Sequence, residues 1–182
     1  MKKNIILVIA VALLIASQAG AQSIKLGPQV GYQEAKDADN GKLMAGAALR
    51  LKLSSMLGIE GAINYRGEKY SDGALTVRSW PVQASALIYP LPLVHGTIGT
   101  GWYNTTLDYD QSKAGYANLD DETTQKIGWH FGGGIDLPVG KSSTLTADIR
   151  YVFLDYNFDA LPGSANLDSD FYMISVGLLL GL

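Results

Sequence analysis

The chain alternates between apolar residues and small or polar residues along most of its length. The clearest example is the stretch from Lys126 to Leu137, where Ile127, Trp129 and Phe131 are separated by glycine and histidine. A period of two places successive side chains on opposite faces of a β-strand, whereas a helix would mix the two sets. This stretch therefore predicts a strand with one apolar face and one small or charged face.

The same alternation recurs, and turn-forming residues separate the stretches that show it. Including the stretch above, the predicted strands cover Ile24–Tyr32, Leu43–Leu53, Leu57–Arg66, Trp80–Ile88, Val94–Tyr103, Lys126–Leu137, Thr144–Phe153 and Phe171–Leu182. Such regular spacing of short strands is typical of an all-β protein. We predict eight antiparallel strands and no helix in the folded domain.

The connections between these strands alternate in length. The second, fourth and sixth are short turns, at 54–56, 90–93 and 138–142. The first, third, fifth and seventh are longer and more polar, at 34–41, 67–73, 108–124 and 155–168. Short periplasmic turns and long external loops are typical of a transmembrane barrel. The pattern predicts an eight-stranded antiparallel up-and-down transmembrane β-barrel.

Aromatic residues on the apolar face indicate which face meets lipid. In this topology, seven strands place a tryptophan or tyrosine near the external end of the barrel: Tyr32, Tyr65, Trp80, Trp102, Trp129, Tyr151 and Tyr172. Such rings are favourable at the headgroup boundary, where the apolar body and the polar tip each find a suitable medium. We predict that these residues form an aromatic girdle at the lipid interface.

The opposite face carries charges and must then line the interior. Eight strands enclose only enough space for side chains to fill. If the turn at 54–56 pairs Leu53 with Leu57, then Arg50 lies directly across from Glu60. Because unpaired charges there would be costly, we predict a mutually paired, partly hydrated network. Its members are Arg50, Glu60, Lys126, His130, Asp136, Asp148 and Arg150.

The first 21 residues have the pattern of a cleaved secretory signal peptide. Lys2 and Lys3 form a basic start, Ile5–Ala16 is apolar, and Ala19–Ala21 supplies small residues for cleavage. The apolar segment is shorter than the roughly 20 residues that a membrane-spanning helix needs. We predict that residues 1–21 are removed and that residues 22–182 form one outer-membrane β-barrel domain.

Composition narrows the possible partners. The chain has no cysteine, which excludes both a disulfide framework and a lipid-attachment cysteine. Its net charge is −3, and loss of Lys2 and Lys3 makes the mature chain more acidic still. A nucleic-acid partner would require basic patches, so we expect none.

Several short motifs resemble the small eight-stranded outer-membrane β-barrel family of the OmpA/OmpX and opacity-adhesin type, over residues 23–182. They are Trp80-Pro81-Val82 entering a strand, Tyr89-Pro90 leaving it, and Gly99-Thr100-Gly101-Trp102-Tyr103 on the next strand. The C-terminal strand is similar to the family's assembly signal, with Ser175, Gly177, Leu180 and Leu182 at the expected spacing. The family usually has aromatic residues at the last two of these positions, where this chain has leucine.

The resemblance implies a location and a set of partners. The protein would lie in the outer membrane of a Gram-negative type envelope, in contact with outer-membrane lipid and lipopolysaccharide. The barrel-assembly machinery would recognise its last strand during insertion. We expect a monomer without a cofactor. A surface ligand is possible, and the sequence does not identify it.

His130 suggests an enzyme, because some eight-stranded barrels of this type resemble lipid A deacylases with a serine two residues after a histidine. This chain has Gly132 at that position, and His130 lies on the inner parity, away from acyl chains. We therefore interpret His130 and His95 as interior histidines hydrogen-bonded among carboxylates, and we expect no catalytic residues.

Two acidic segments suggest a metal site. Asp37, Asp39, Asn40 and Gly41 are similar to a calcium loop, but the Asn-Gly comes one residue early and no closing glutamate follows. The acidic residues of the fifth connection, Asp108, Asp110, Asp120, Asp121 and Glu122, could bridge to lipopolysaccharide phosphates through divalent ions. We interpret both segments as solvated and expect no metal site.

These features predict a non-enzymatic barrel with a polar, plugged interior. It would strengthen the envelope or contact partners through its external loops, as an adhesion protein does. The alternative is a porin-like function as a narrow pore for small or apolar solutes. Arg50, Glu60, Arg150, Tyr103 and Phe171 all fall on the inner face, where they would block an open water channel.

Overall fold

The protein is a closed barrel of eight antiparallel strands, seen in a computed structural model that describes residues 23–35, 41–70, 75–109, 122–154 and 170–182. The strands are β1 (Ser23–Ala35), β2 (Lys42–Lys52), β3 (Leu57–Tyr70), β4 (Leu75–Leu91), β5 (Val94–Tyr109), β6 (Glu122–Val139), β7 (Ser143–Phe153) and β8 (Phe171–Gly181). Each strand pairs with the next in sequence, and β1 also pairs with β8. This confirms the predicted fold class.

Several predictions concern residues outside the described ranges. They include the signal peptide at 1–21, the calcium-like segment at 37–40 and the acidic residues at 110, 120 and 121. The described ranges contain no helix that is long and apolar enough to cross a membrane.

Closure of the barrel depends on the ladder between β1 and β8. The pairs run from Lys25 opposite Gly181 to Ala35 opposite Phe171, and the Leu182 N–H donates to the Ile24 carbonyl at 3.0 Å. A closed ladder gives the main-chain groups of every strand a neighbour on each side, which is the condition for crossing hydrocarbon with strands.

The two faces of the wall separate as the alternation predicts. In β8, every second residue from Phe171 to Leu179 is buried, and the residues between them are exposed. The exposed positions of all eight strands are mostly large and apolar, for example Ile98, Ile127 and Ile174. The buried positions include arginine, glutamate, aspartate and histidine. The apolar side chains therefore point outward and the charged ones inward.

The strands differ in length, and the predicted bounds are wrong at the external ends. β3 to β6 contain 14, 17, 16 and 18 residues, whereas β2, β7 and β8 contain 11 each. Residues 67–70, predicted as loop, continue β3 and pair with β4 as far as Tyr70 opposite Leu75. Beyond the bilayer both faces of a strand meet water, so apolar alternation fades although the ladder continues.

The short turns lie at the opposite end. The connection between β6 and β7 contains Gly140, whose φ of 85° lies in the left-handed region that favours glycine. The connection between β2 and β3 is supported by Ser54, whose Oγ accepts hydrogen bonds from the N–H groups of Met56 and Leu57. These turns fix the register of the paired strands above them.

Candidate functional site

The lower half of the interior, near the short turns, is filled by paired charges. Arg50 and Glu60 are directly opposite in the β2–β3 ladder, and the Arg50 Nε donates to Glu60 at 2.9 Å. Arg150 on β7 reaches across the barrel and donates to the other carboxylate oxygen of Glu60 at 2.6 Å. Glu60 is 3% exposed, so one buried carboxylate joins two buried guanidinium groups.

Further strands complete this arrangement. Arg50 also forms an ion pair with Asp136 of β6, and Arg150 pairs with Asp148 at 3.1 Å. The His95 Nε2 donates to Asp148 at 2.9 Å, and the Tyr89 hydroxyl donates to Asp136 at 2.8 Å. We call the group the charged layer; its members are Arg50, Glu60, Asp136, Asp148, Arg150, His95 and Tyr89.

Two residues of the predicted network lie elsewhere. Lys126 is half-buried on the inner face, opposite Tyr103 in the β5–β6 ladder, and no ion pair joins it to the described members of the charged layer. His130 is buried, but its Nε2 is hydrogen-bonded to the Ser85 Oγ at 2.8 Å rather than to a carboxylate. Ser85 in turn lies 3.4 Å from the Arg150 Nη1.

Tyr89 and Ser85 are absent from the predicted network. His95 was expected to be an interior histidine hydrogen-bonded among carboxylates, and its Nε2 does contact Asp148. All three lie on the inner parity of β4 and β5, so their direction was available from the alternation. The alternation gives the direction of each side chain but not its level along the barrel axis. It therefore cannot show which side chains from distant strands meet. Arg50 and Asp136, for example, are 86 residues apart.

The Ser85–His130 pair has part of the chemistry of a hydrolase. A serine nucleophile needs a histidine base, which in turn needs a group to orient it. The Nδ1 of His130 has no hydrogen-bond partner among the described residues, and both side chains are buried in the interior. The pair therefore lacks an orienting group there and has no contact with the exposed wall.

The upper half of the interior, near the long connections, contains a buried apolar cluster beside polar side chains such as Gln83 and Arg66. The rings of Tyr103 and Phe171 meet edge to face, with centroids 5.9 Å apart, and the Tyr103 hydroxyl accepts a hydrogen bond from Gln83 at 2.9 Å. Arg66 lies over the Phe171 ring at 5.1 Å. We call the buried cluster the apolar layer; it consists of Met44, Tyr103, Val152, Leu154, Phe171 and Met173.

Glycine makes room for both layers. A Cβ added at Gly134 would lie 2.9 Å from the His95 ring, and one at Gly128 would lie 2.9 Å from Tyr103. Real Cβ atoms do not approach other atoms so closely. Each added Cβ would also meet a backbone carbonyl oxygen, that of Ala147 at 2.5 Å or that of Phe153 at 2.8 Å, so neither position has room for a side chain. The inner glycines therefore provide the space in which the large interior side chains lie.

The predicted girdle residues all lie on the outer face. Tyr32, Tyr65, Trp80, Trp102, Trp129 and Tyr172 are exposed, and Tyr151 is half-buried. Two pairs are in ring contact: Tyr65 with Trp80 at 4.4 Å, and Tyr151 with Tyr172 at 4.7 Å. Of the predicted assembly signal, Ser175 and Gly177 point inward, while Leu180 and Leu182 are exposed.

Residues 6–179 match the outer membrane protein beta-barrel domain family. Together with the closed barrel and its apolar outer wall, this match shows that the chain belongs to that family and lies in the outer membrane. None of the curated proteins matches the chain.

Solved structures show the same fold at low identity. The attachment invasion locus protein Ail of Yersinia pestis, solved with the heparin analogue sucrose octasulfate, is 15% identical; the match covers 88% of this chain and 97% of that one, with a TM-score of 0.55. For Neisserial surface protein A the values are 12%, 87%, 96% and 0.57. For a major outer membrane protein of Thermus thermophilus they are 11%, 88%, 100% and 0.61.

Proposed function

We propose that this protein is a non-enzymatic outer-membrane barrel with a plugged interior, which supports the envelope or contacts partners through its external strand ends and connections. The observation that carries the proposal is the filling of the interior by two successive layers. The charged layer spans the barrel from β2 and β3 to β6 and β7, and the apolar layer lies above it. Side chains thus occupy the space that a water-filled pore would need.

Conductance in planar bilayers tests this proposal against the narrow-pore alternative. We expect the purified barrel to insert without steady openings, because ions would have to pass both layers. A known porin reconstituted in the same bilayers controls for insertion and detection. Steady unitary openings of the wild-type protein would contradict the plugged interior and favour the pore.

The external end offers the surface for contact. The longer strands β3 to β6 extend the sheet on one side, and β6 pairs with β7 only from Trp129 inward, as far as the described residues show. In the sequence, each of the four external connections carries more acidic than basic residues. Complementary charge steers association, so we propose that a surface partner, if present, is basic.

A shortened barrel tests the contact surface. Tyr103 and Lys126 are direct partners in the β5–β6 ladder, so an Asn-Gly turn can replace residues 104–125 and close the hairpin there. We expect cells displaying the wild-type barrel to adhere to polylysine-coated surfaces, and the shortened variant to adhere less. Lys141→Ser, in a turn at the other end, is the matched control and should adhere as wild type.

Heparin-coated surfaces provide the opposite probe. The Yersinia pestis relative was solved with a heparin analogue, but the acidic external connections of this chain would repel such a polyanion. We expect no adhesion to heparin. Adhesion to heparin that is lost with residues 104–125 would contradict a basic partner while still supporting surface contact.

The absence of catalysis is part of the proposal. It is supported by the burial of Ser85 and His130 away from the outer wall. We expect purified protein to release no fatty acid from lipid A, and His130→Ala to give the same background. Release that stops in His130→Ala would show instead that the pair is catalytic.

A further inference from the structure

A concave depression lies on the outer wall near its external end. It has a volume of about 390 Å³ and is lined by Phe131, Gly132, Ile149, Arg150, Tyr151, Phe153 and Tyr172. We call it the outer groove. Gly132 and Arg150 occupy inward-facing positions, so the floor is their backbone, while the outward-facing residues form the walls. Its volume falls within the range of about 300–1,000 Å³ that is usual for small-molecule sites.

Aromatic rings hold the walls of the outer groove in place. Phe131 and Phe153 are stacked with centroids 5.6 Å apart, and Tyr151 contacts Phe153 at 4.8 Å and Tyr172 at 4.7 Å. The hydroxyl of Tyr151 donates to Asp170 at 3.0 Å. These mutual contacts restrict the ring positions, so the concave shape is built into the wall rather than formed by mobile side chains.

Two glycines lie next to the outer groove, on the side toward the middle of the wall. Gly133 lies directly opposite Ile149 in the β6–β7 ladder and directly opposite Gly96 in the β5–β6 ladder. Both glycines occupy outward-facing positions and carry no side chain, so no side chain projects from the wall at these positions. At these two positions no side chain separates the outer groove from the middle of the wall.

The location of the groove determines what can occupy it. The chain is an outer-membrane barrel whose exposed wall is apolar, so this surface faces lipid. A stable protein–protein interface needs roughly 20–30 residues on each side, whereas the outer groove is lined by seven. A single flexible hydrocarbon chain fits a small concave surface that a convex second barrel could not fill.

We propose that the outer groove is a binding site for one acyl chain of an external-leaflet lipid. The chain lies against the Phe131 and Phe153 rings with its end toward Gly133, and its headgroup lies beside the hydroxyls of Tyr151 and Tyr172. Because the walls are preformed, the groove binds a straight, saturated chain more tightly than the rest of the barrel wall does.

Trp129 provides a reporter, since it lies directly opposite Phe153 in the β6–β7 ladder and is 65% exposed. The reporter variant carries Trp80→Phe and Trp102→Phe. The reference variant keeps only Trp80 on β4, outside the groove, and carries Trp102→Phe and Trp129→Phe. Each is folded into vesicles of phosphatidylcholine brominated on both chains, which quenches tryptophan, and unbrominated dipalmitoyl phosphatidylcholine is then added in steps.

We expect Trp129 fluorescence to recover more than the mole fraction of unbrominated lipid requires, and Trp80 fluorescence to follow the mole fraction. Ile149→Phe fills the groove and should abolish the excess recovery at Trp129. Ile63→Phe makes the same change on the outer face of β3, outside the groove, and should leave the excess intact. Heat-modified mobility in gels confirms that each variant is folded.

Equal recovery at Trp129 and Trp80 would overturn the proposal, as would an excess that survives Ile149→Phe. A Trp129 signal that resists quenching only at high protein density would also overturn it, since a second copy would then cover the groove. Replacing the dipalmitoyl lipid with lipid A distinguishes recognition of the headgroup from recognition of the acyl chain. A larger excess with lipid A supports headgroup contacts as well, and an equal excess supports recognition of the chain alone.

Discussion

The two layers of the barrel interior fill successive levels of the barrel by different means. The charged layer is held by ion pairs and hydrogen bonds between strands that are not neighbours, such as those of Arg150 with Glu60. The apolar layer is held by burial and by the edge-to-face contact of Tyr103 with Phe171. Buried ion pairs depend on every partner being present, whereas apolar contacts are lost in proportion to the surface removed.

The two layers should therefore respond differently to single substitutions. Removing one carboxylate leaves the facing guanidinium groups buried without their full set of partners. Shortening one apolar side chain removes only its own contacts and leaves a partly collapsible space. The following substitutions test that contrast through the free energy of unfolding, measured by urea denaturation in detergent micelles with tryptophan fluorescence.

The largest effect is expected for Glu60→Gln in the charged layer. Both Arg50 and Arg150 donate to Glu60, so the substitution should lower the free energy of unfolding by about 3–5 kcal/mol. Glu34→Gln, at an exposed position of β1, is the matched control and should change it by less than about 0.5 kcal/mol. A loss below about 1 kcal/mol for Glu60→Gln would show that these pairs count no more than ordinary hydrogen bonds.

A smaller effect is expected for Phe171→Leu in the apolar layer. The substitution removes the ring contact with Tyr103 and part of a buried side chain, which together should cost about 1–2 kcal/mol. Phe153→Leu changes the same side chain on the outer wall, where lipid replaces the lost surface, and should cost less. If Phe171→Leu cost as much as Glu60→Gln, the proposed contrast between the layers would be wrong.

Tyr103→Phe removes a single hydroxyl from the apolar layer. The Gln83 side chain would lose its acceptor, and we expect the free energy of unfolding to fall by about 1 kcal/mol. Tyr172→Phe, on the outer wall, removes a hydroxyl from an exposed ring and should have a smaller effect. Equal losses at the two positions would indicate that the Gln83 contact contributes nothing specific.

The smallest effect is expected for Lys126→Gln. The sequence places Lys126 in the interior network, but no ion pair joins it to the described charged layer. We expect a change within about 0.5 kcal/mol. A loss of several kcal/mol would mean that Lys126 is a member of the network after all, as the alternation alone suggested.

Much of the fold could be predicted because one rule governs every strand. Lipid outside and a filled interior force a period of two, so Ile127 and His130 point in opposite directions without reference to any distant residue. The short turn after β2 also places Arg50 opposite Glu60 in the structure. Local spacing was sufficient in both cases because neighbouring strands are joined by few residues.

The rest of the candidate site could not be predicted, since it depends on strand tilt and on contacts across the interior. His130 faces inward as expected, yet its partner is Ser85 and not a carboxylate. His95 contacts a carboxylate as expected, but the sequence could not show that this carboxylate belongs to Asp148, 53 residues away along the chain. The outer groove could not be predicted from the sequence either. Ring contacts such as that of Phe131 with Phe153 depend on how the side chains lean across neighbouring strands.

The ladder between β1 and β8 makes the strand order cyclic although the chain itself is linear. The Leu182 N–H donates to the Ile24 carbonyl at 3.0 Å, so the start of β1 and the residue that follows β8 are neighbours. A circularly permuted chain, joined there by a short peptide and opened within an external connection, would keep all eight strand pairings. The order in which strands pair around the barrel thus does not depend on which strand is synthesised first.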